Sequence, residues 1–139
     1  MAVYAVGFQS CSSDDGSSNE NPVSGTWRLV EVQVSQQQLT QFAPADEDIV
    51  ITFNLGSDFN GSTSVNQFSG RYELNGTTLT MLEFTTTEVA DTLFAAAFYS
   101  AIAEAQVANA EFAQFGYSFE SQNLVLVFGN SGQMVFEGQ

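Results

Sequence analysis

The stretch ITFNLGSDFNGSTSVNQFSGRYELNGTTLTM, Ile51–Met81, decides the fold. It is entered through Ile49 and Val50, and Ile49, Ile51, Phe53 and Leu55 fall on one face of a strand, because side chains alternate along a pleated chain. Gly56-Ser57-Asp58 then turns the chain, and Phe59 to Val65 returns as a strand weakened by Gly61. Asp58-Phe59-Asn60-Gly61 is similar to the start of a calcium loop, but no Glu closes it where such a loop needs one, so a hairpin is the better reading. The clearest hairpin follows. Gly70 to Leu74 and Thr77 to Leu82 flank Asn75-Gly76, a pair that supplies the two positive φ angles of a type I′ turn. Tyr72 and Leu74 share one face, and Leu79 and Met81 share one on the partner strand. The stretch reads as the central β-meander of a single domain.

Outward from the meander, Trp27 to Val34 alternates as a strand, and Ser35 to Asp48 reads as a polar loop. The adjacent acids Asp46, Glu47 and Asp48 lack the spacing and the glycine of a hard-cation loop. After Met81, Glu83 to Glu88 breaks the period of two. Thr85 with Glu88 has capping-box spacing, and Thr87 or Asp91 is an alternative cap for a helix from Val89 to about Ala108. Phe94, Phe98 and Ile102 make one stripe of that helix; Leu93, Ala97, Ala101 and Ala105 make the next. Phe115, Tyr117 and Phe119 restore the alternation. Leu124 to Phe128 is apolar on both faces, as a central strand is, and Gln133 to Glu137 closes the sheet. The fold class expected is α+β, mainly β: a compact antiparallel barrel-like sheet of about eight strands with one packed helix.

Composition narrows the chemistry. The chain has 139 residues, enough for one domain with a real core, and 13 of them are Phe. It carries 16 acidic residues, only Arg28 and Arg71 as bases, and neither Lys nor His, for a net charge of −14. Such a surface repels nucleic acid, because phosphate binding needs Lys and Arg. It is either a solvated coat or a steering field for a cationic partner. Without His or Lys there is no imidazole base, no Schiff base and no base to activate a serine. No Gly-rich phosphate loop is present. The carboxylates Glu73 and Glu83 remain, but on exposed strands such groups are solvated, and Arg71 is expected to pair with one of them. The expectations are therefore no catalytic residue, no metal ligand set and no cofactor.

The N-terminal region has its own logic. Met1 to Phe8 is apolar, Cys11 is the only cysteine, and SSDDGSSNENP follows it at once. An apolar run ending at a Cys preceded by a small residue resembles the end of a bacterial lipoprotein signal, with Cys11 as the lipidated residue. The acyl chains would anchor and the polar tract would act as a tether. The division expected is a residual signal-like segment over 1–10, a flexible acidic tether over 11–23 and a folded domain over 24–139. No apolar run reaches the roughly 20 residues of a membrane-spanning helix, so membrane contact rests on the anchor alone.

From about Gly25 to Glu137 the chain resembles the META domain family, that of the HslJ-like heat-shock lipoproteins. The resemblance rests on Trp27 with Leu29, on Ile51 to Phe53, on Val65-Asn66-Gln67-Phe68-Ser69-Gly70 with Tyr72, and on Thr86 or Thr87 before Val89-Ala90-Asp91 and the helix. Val65 and Val89 stand where the family usually carries cysteines, so the resemblance implies that these two valines are buried and adjacent. Asn66 and Ser69 are read as satisfying backbone groups at a turn or bulge. The resemblance also implies a domain of the cell envelope linked to envelope stress; with the absent chemistry, the expectation is a non-catalytic, monomeric domain in a binding or structural role. Its partner is an unknown protein or small ligand. Two alternatives stay open: an inhibitor that sequesters a basic secreted protein, as lysozyme inhibitors do, and a carrier of a small apolar ligand inside the barrel.

Overall fold

β-Branched and aromatic residues alternating with polar ones become strands. The computed structural model describes residues 21–34, 39–106, 112–129 and 131–139. Among these the strands are β1 Gly25–Val34, β2 Leu39–Phe42, β3 Val50–Phe53, β4 Asp58–Ser62, β5 Gln67–Asn75 and β6 Thr78–Thr86. The helix α1 spans Leu93–Glu104, and β7 Ala113–Glu120, β8 Asn123–Phe128 and β9 Gly132–Gly138 follow. β3 to β9 pair in chain order, β1 pairs with β3, and β1 also pairs with β9. All these pairings are antiparallel, so eight strands close into a barrel and β2 stands outside the ring. β1 is long enough to serve two neighbours on one edge. Gly25–Arg28 pairs with β3, and Glu31–Val34 pairs with β2.

Inward-facing positions fill the barrel. Leu29, Ile51, Phe53, Phe59, Leu79 and Phe115 are at most 1% exposed, and Leu124, Leu126, Met134 and Phe136 meet them from β8 and β9 in the same cluster. Each such side chain stabilises the fold by about 1.5–3 kcal/mol. α1 lies against β1, β2, β7 and β9 at the end where β5 and β9 begin. It buries Phe94, Ala95, Ala97, Phe98, Ala101 and Ile102. Phe98 sits 5.2 Å from Phe68 and 6.3 Å from Phe84, ring centre to ring centre. At the opposite end Trp27 donates Nε1–H to the Val23 carbonyl at 2.8 Å, with Phe119 at 6.1 Å. There Asn21 Nδ2 donates to Tyr72 Oη at 2.6 Å, and the Tyr72 hydroxyl donates to the Asn54 carbonyl at 2.7 Å.

Several expectations are corrected. The expected polar loop contains a strand, β2, whose edge backbone is satisfied by the far half of β1. β6 runs on to Thr86, because Phe84 still points into the core beside Phe68, at 5.4 Å. β4 ends at Ser62, where the Thr63 turn begins. The helix starts at Leu93, not Val89, and its cap is Thr92, whose Oγ1 accepts from the Ala95 N–H at 3.1 Å. Leu93, at its first position, is 85% exposed rather than part of the apolar stripe. Leu55 is 74% exposed, because the strand stops at Phe53 and the Asn54 N–H bonds the Asp58 carbonyl at 2.9 Å to close the turn.

Turn chemistry is also exchanged between two hairpins. Asn75 pairs with Thr78, so the β5–β6 loop is Gly76-Thr77, and only Gly76 has positive φ, as in a type II′ turn. The β7–β8 loop, Ser121-Gln122, has both residues at positive φ, 52° and 72°, as type I′ requires. Side chains carry a cost in that region that Asn and Gly largely avoid. Ser121→Asn combined with Gln122→Gly is therefore expected to stabilise the domain by about 1 kcal/mol. Urea denaturation checks this, and a neutral or negative change would show that the turn is unstrained.

Candidate functional site

Four outer-facing positions lie side by side across β3 to β6. Thr52 is opposite Asn60, Asn60 opposite Ser69, and Ser69 opposite Thr85. The row extends into β1, where Thr26 is opposite Thr52 and their hydroxyls are 2.9 Å apart. A second row runs beside it. Val50 faces Ser62, Ser62 faces Gln67, and the Gln67 N–H donates to Thr87 Oγ1 at 3.1 Å. Together the rows line an open groove of about 680 Å³ on the outside of the barrel, floored in part by Gly61 and Phe68. Among the described residues no charged side chain lines it. Charges begin one position further along, where Arg71 faces Asp58 on one side and Glu83 on the other. Arg71 reaches Glu83 at 4.0 Å, as expected, and at that exposure the pair contributes little.

Glycine allows close approach beneath the groove. Phe59-Asn60-Gly61 runs antiparallel to Phe68-Ser69-Gly70, so Phe59 faces Gly70 and Phe68 faces Gly61. A Cβ at Gly61 would overlap the Val50 carbonyl oxygen and the Phe68 ring. One at Gly70 would overlap the Glu83 carbonyl oxygen and reach the Phe59 ring. Both residues have ordinary φ, so close approach rather than backbone freedom requires glycine here.

At the helix end of the groove lies a hydrogen-bonded latch centred on Asn66, which is 2% exposed. Asn66 Nδ2 donates to the Val89 carbonyl and to Asp91 Oδ2, both at 2.8 Å. Asn66 Oδ1 accepts from the Val89 N–H at 2.9 Å and from the Thr87 hydroxyl at 2.6 Å. The Thr63 hydroxyl donates to Asp91 Oδ2 and accepts from the Asn66 N–H at 2.9 Å. The amide is thereby fully used, and the β4–β5 turn is tied to the strand-to-helix connection.

Asp91 experiences opposing influences. Burial alone would raise its pKa, but hydrogen bonds from Thr63, Asn66 and the Thr92 N–H outweigh that and hold the carboxyl below its ordinary value. A lowered folded-state pKa stabilises above the ordinary aspartate range of about 4, and that contribution is lost as pH falls through the folded value. Asp91→Asn is expected to cost about 1–2 kcal/mol at pH 7. Its stability should also fall less steeply than the parent's below about pH 4. Parallel urea titrations at neutral and acid pH check this; equal slopes would remove Asp91 from the acid response.

The sites read from the sequence divide in a simple way. Asn66 does satisfy backbone groups, but those of a distant segment. Ser69 is exposed in the groove instead of completing a turn. Trp27 is 9% exposed at the other end of the barrel, and Phe68 is 3% exposed beneath the groove. Val65 and Val89 are corrected: their segments meet through Asn66, yet the side chains are 50% and 58% exposed. The backbone at Val89 faces the latch, which turns its side chain to solvent. Cys11 lies outside the described residues. The acidic run at 46–48 is a loop whose Asp48 accepts from Arg28 Nε at 2.7 Å. Thr63 and the polar rows went unnoticed. Their signal was present as neutral polar residues at every second position of consecutive strands.

The fold defines a small antiparallel barrel of eight strands with a helix across one end and an apolar core, and among the described residues no helix is long and apolar enough to cross a membrane. The chain belongs to the META domain family, whose model matches residues 20–139. No curated protein sequence matches the chain significantly. Solved structures share the fold at low identity. A protein from Burkholderia xenovorans is 16% identical with a TM-score of 0.63, covering 92% of this chain and 94% of that one. A lipocalin-like protein from Bacteroides uniformis is 14% identical with a TM-score of 0.56, covering 86% and 100%. An uncharacterized protein from Bacteroides eggerthii is 15% identical with a TM-score of 0.52, covering 84% and 99%.

Proposed function

We propose that this META domain is a non-catalytic binding module of the cell envelope, that it binds an uncharged polar ligand in the β3–β6 groove, and that it is held at a membrane through lipidated Cys11. The observation that carries the binding role is the contrast between the groove and the rest of the chain. In a protein with net charge −14, no charged side chain among the described residues lines a pocket of about 680 Å³, a size typical of ligand sites. The side chains of Asn60, Ser62, Ser69 and Thr85 have no hydrogen-bond partner among the described residues, so their donors and acceptors are open to a ligand. The interior holds the buried rings of Phe53, Phe59, Phe115 and Phe136, which weighs against an apolar carrier. The anchor fits the entry of the chain: Asn21 is fixed at Tyr72, at the barrel end away from α1.

The test is an NMR screen of the full chain against uncharged polar fragments. Hits are expected to move the amides of residues 50–52, 60–62, 67–69 and 85–87. Hits that move only interior positions such as Leu29, Phe53 and Met134 would favour the carrier. Salt-sensitive binding of hen lysozyme with no groove hits would favour the sequestering protein. Metabolic labelling with an alkyne fatty acid in a bacterial host tests the anchor, with Cys11→Ser expected to abolish the label.

A further inference from the structure

The two rows in the groove have a spacing as well as a chemistry, and the spacing speaks to the ligand. Resting on the proposed role of the groove, we propose that its ligand is an extended, uncharged glycan chain lying across the strands, read chiefly by Thr52, Asn60, Ser69 and Thr85. Adjacent strands are about 4.8 Å apart, so the Thr52–Thr85 row presents one polar side chain per strand over about 14 Å. Hydroxyl and amide groups each donate and accept, as sugar hydroxyls do, so a row of them matches a repeating polyol better than a single polar group. The second row, Ser62, Gln67 and Thr87, meets the other edge of the same chain. Methyl groups of Thr52, Thr85 and Val50 supply apolar contact for ring C–H faces.

Charge excludes the competing ligand classes. An anionic glycan would enter the field of sixteen acidic residues with two bases to offset them. A cationic ligand would find no carboxylate among the described residues that line the groove. A peptide strand would look for unpaired backbone; β3, β4 and β5 are paired on both edges here, and β6, which pairs with β7 only over Thr78–Met81, leaves its outer edge open beyond that, where an added strand would lie alongside β6 and not across the rows. Recognition across the rows therefore falls to side chains, which suit an uncharged, hydroxyl-rich chain.

The experiment uses the full 15N-labelled chain with linear cello-, chito-, malto- and manno-oligosaccharides from dimer to hexamer. Oligogalacturonide serves as the anionic comparator, and an uncharged Gly-Ser peptide as the non-saccharide one. At least one neutral series should cause saturable shifts at residues 50–52, 60–62, 67–69 and 85–87, with affinity rising with chain length. Asn60→Ala and Ser69→Ala should each weaken binding about fivefold, the worth of one hydrogen bond. Ser118→Ala, on β7 outside the groove, should leave it unchanged. Groove shifts with the Gly-Ser peptide or other non-saccharides, and none with any oligosaccharide, would overturn the glycan while leaving the groove as a binding site. Tighter binding of oligogalacturonide than of every neutral series would overturn the exclusion by charge. Saturable shifts confined to positions outside the groove would overturn both readings.

Discussion

Asn66→Ala is expected to cost about 3 kcal/mol of folding stability, a large share of the roughly 5–15 kcal/mol that holds a domain of this size together. The side chain is 2% exposed and makes four hydrogen bonds. Truncation leaves the Val89 N–H and C=O, the Thr87 hydroxyl and one oxygen of Asp91 without that partner. Each group left unpaired in a buried place costs about 1–3 kcal/mol, and those nearer solvent recover part of it from water. Equilibrium urea unfolding measures the sum, and native-state hydrogen exchange reads its location. The Val89 amide should lose protection well before the barrel does. A loss below about 1 kcal/mol would mean that water replaces the latch without cost.

Asn66→Asp separates hydrogen bonding from shape. It keeps the two acceptor contacts of Oδ1 and loses both donors, one of which faces the Asp91 carboxylate. Two carboxylates sharing that position raise each other's pKa, so the variant should be at its worst near neutral pH. Its deficit relative to the parent should shrink on acidification, as one carboxyl takes up a proton and becomes a donor again. Asn66→Ala loses the hydrogen bond that helps hold the Asp91 carboxyl low but adds no second carboxylate, so its deficit should shrink less on acidification. A deficit that stays constant from pH 7 to pH 4.5 would assign the loss to packing instead.

This latch also shows where sequence reasoning reaches its limit. Alternation marked the strands, because a half-buried sheet imposes a period of two on nearly every segment. Tyr72, Leu79, Met81 and Phe115 fell on their core faces for that reason. β2 was not visible, since Leu39–Phe42 is short and lies in a polar stretch, and its pairing is supplied by the tail of β1. The helix start was misplaced by four residues for a related reason. Val89 to Thr92 has helix-compatible composition, but Asn66 uses the Val89 N–H and C=O from 23 positions away. Local propensity contains no record of such a partner. The two exposed valines follow from the same bonds, which fix the backbone orientation and hence the side-chain direction. The groove was legible in principle as neutral polar residues on alternate positions. It takes the register, however, to show that Thr52, Asn60, Ser69 and Thr85 align.

Gly70→Ala should be as damaging as loss of the latch, at about 3 kcal/mol or more, equivalent to a fall in Tm on the order of 10 °C. The reason lies in a reciprocal arrangement. Phe59 lies over Gly70 and Phe68 lies over Gly61, so each ring occupies the place where its partner's side chain would stand. Ring overlap alone would be a modest problem, because a phenyl group can shift. The obstacle at Gly70 is the Glu83 carbonyl oxygen, which belongs to the neighbouring strand and is held by pairing. A methyl group there must push β5 and β6 apart beside the register shift between Arg71 and Tyr72. Two comparisons isolate the cause. Gly56→Ala, whose nearest neighbour would be an Asp58 side-chain oxygen at 3.5 Å, should change stability by less than about 1 kcal/mol. Adding Phe59→Leu to Gly70→Ala should fail to restore stability, because trimming the ring leaves the carbonyl in place. Full recovery in that double variant would locate the conflict in the ring and not in the backbone. The groove should report the same damage: Ser69, between Phe68 and Gly70, would leave its row with Asn60 and Thr85, and any ligand read across that row would bind more weakly.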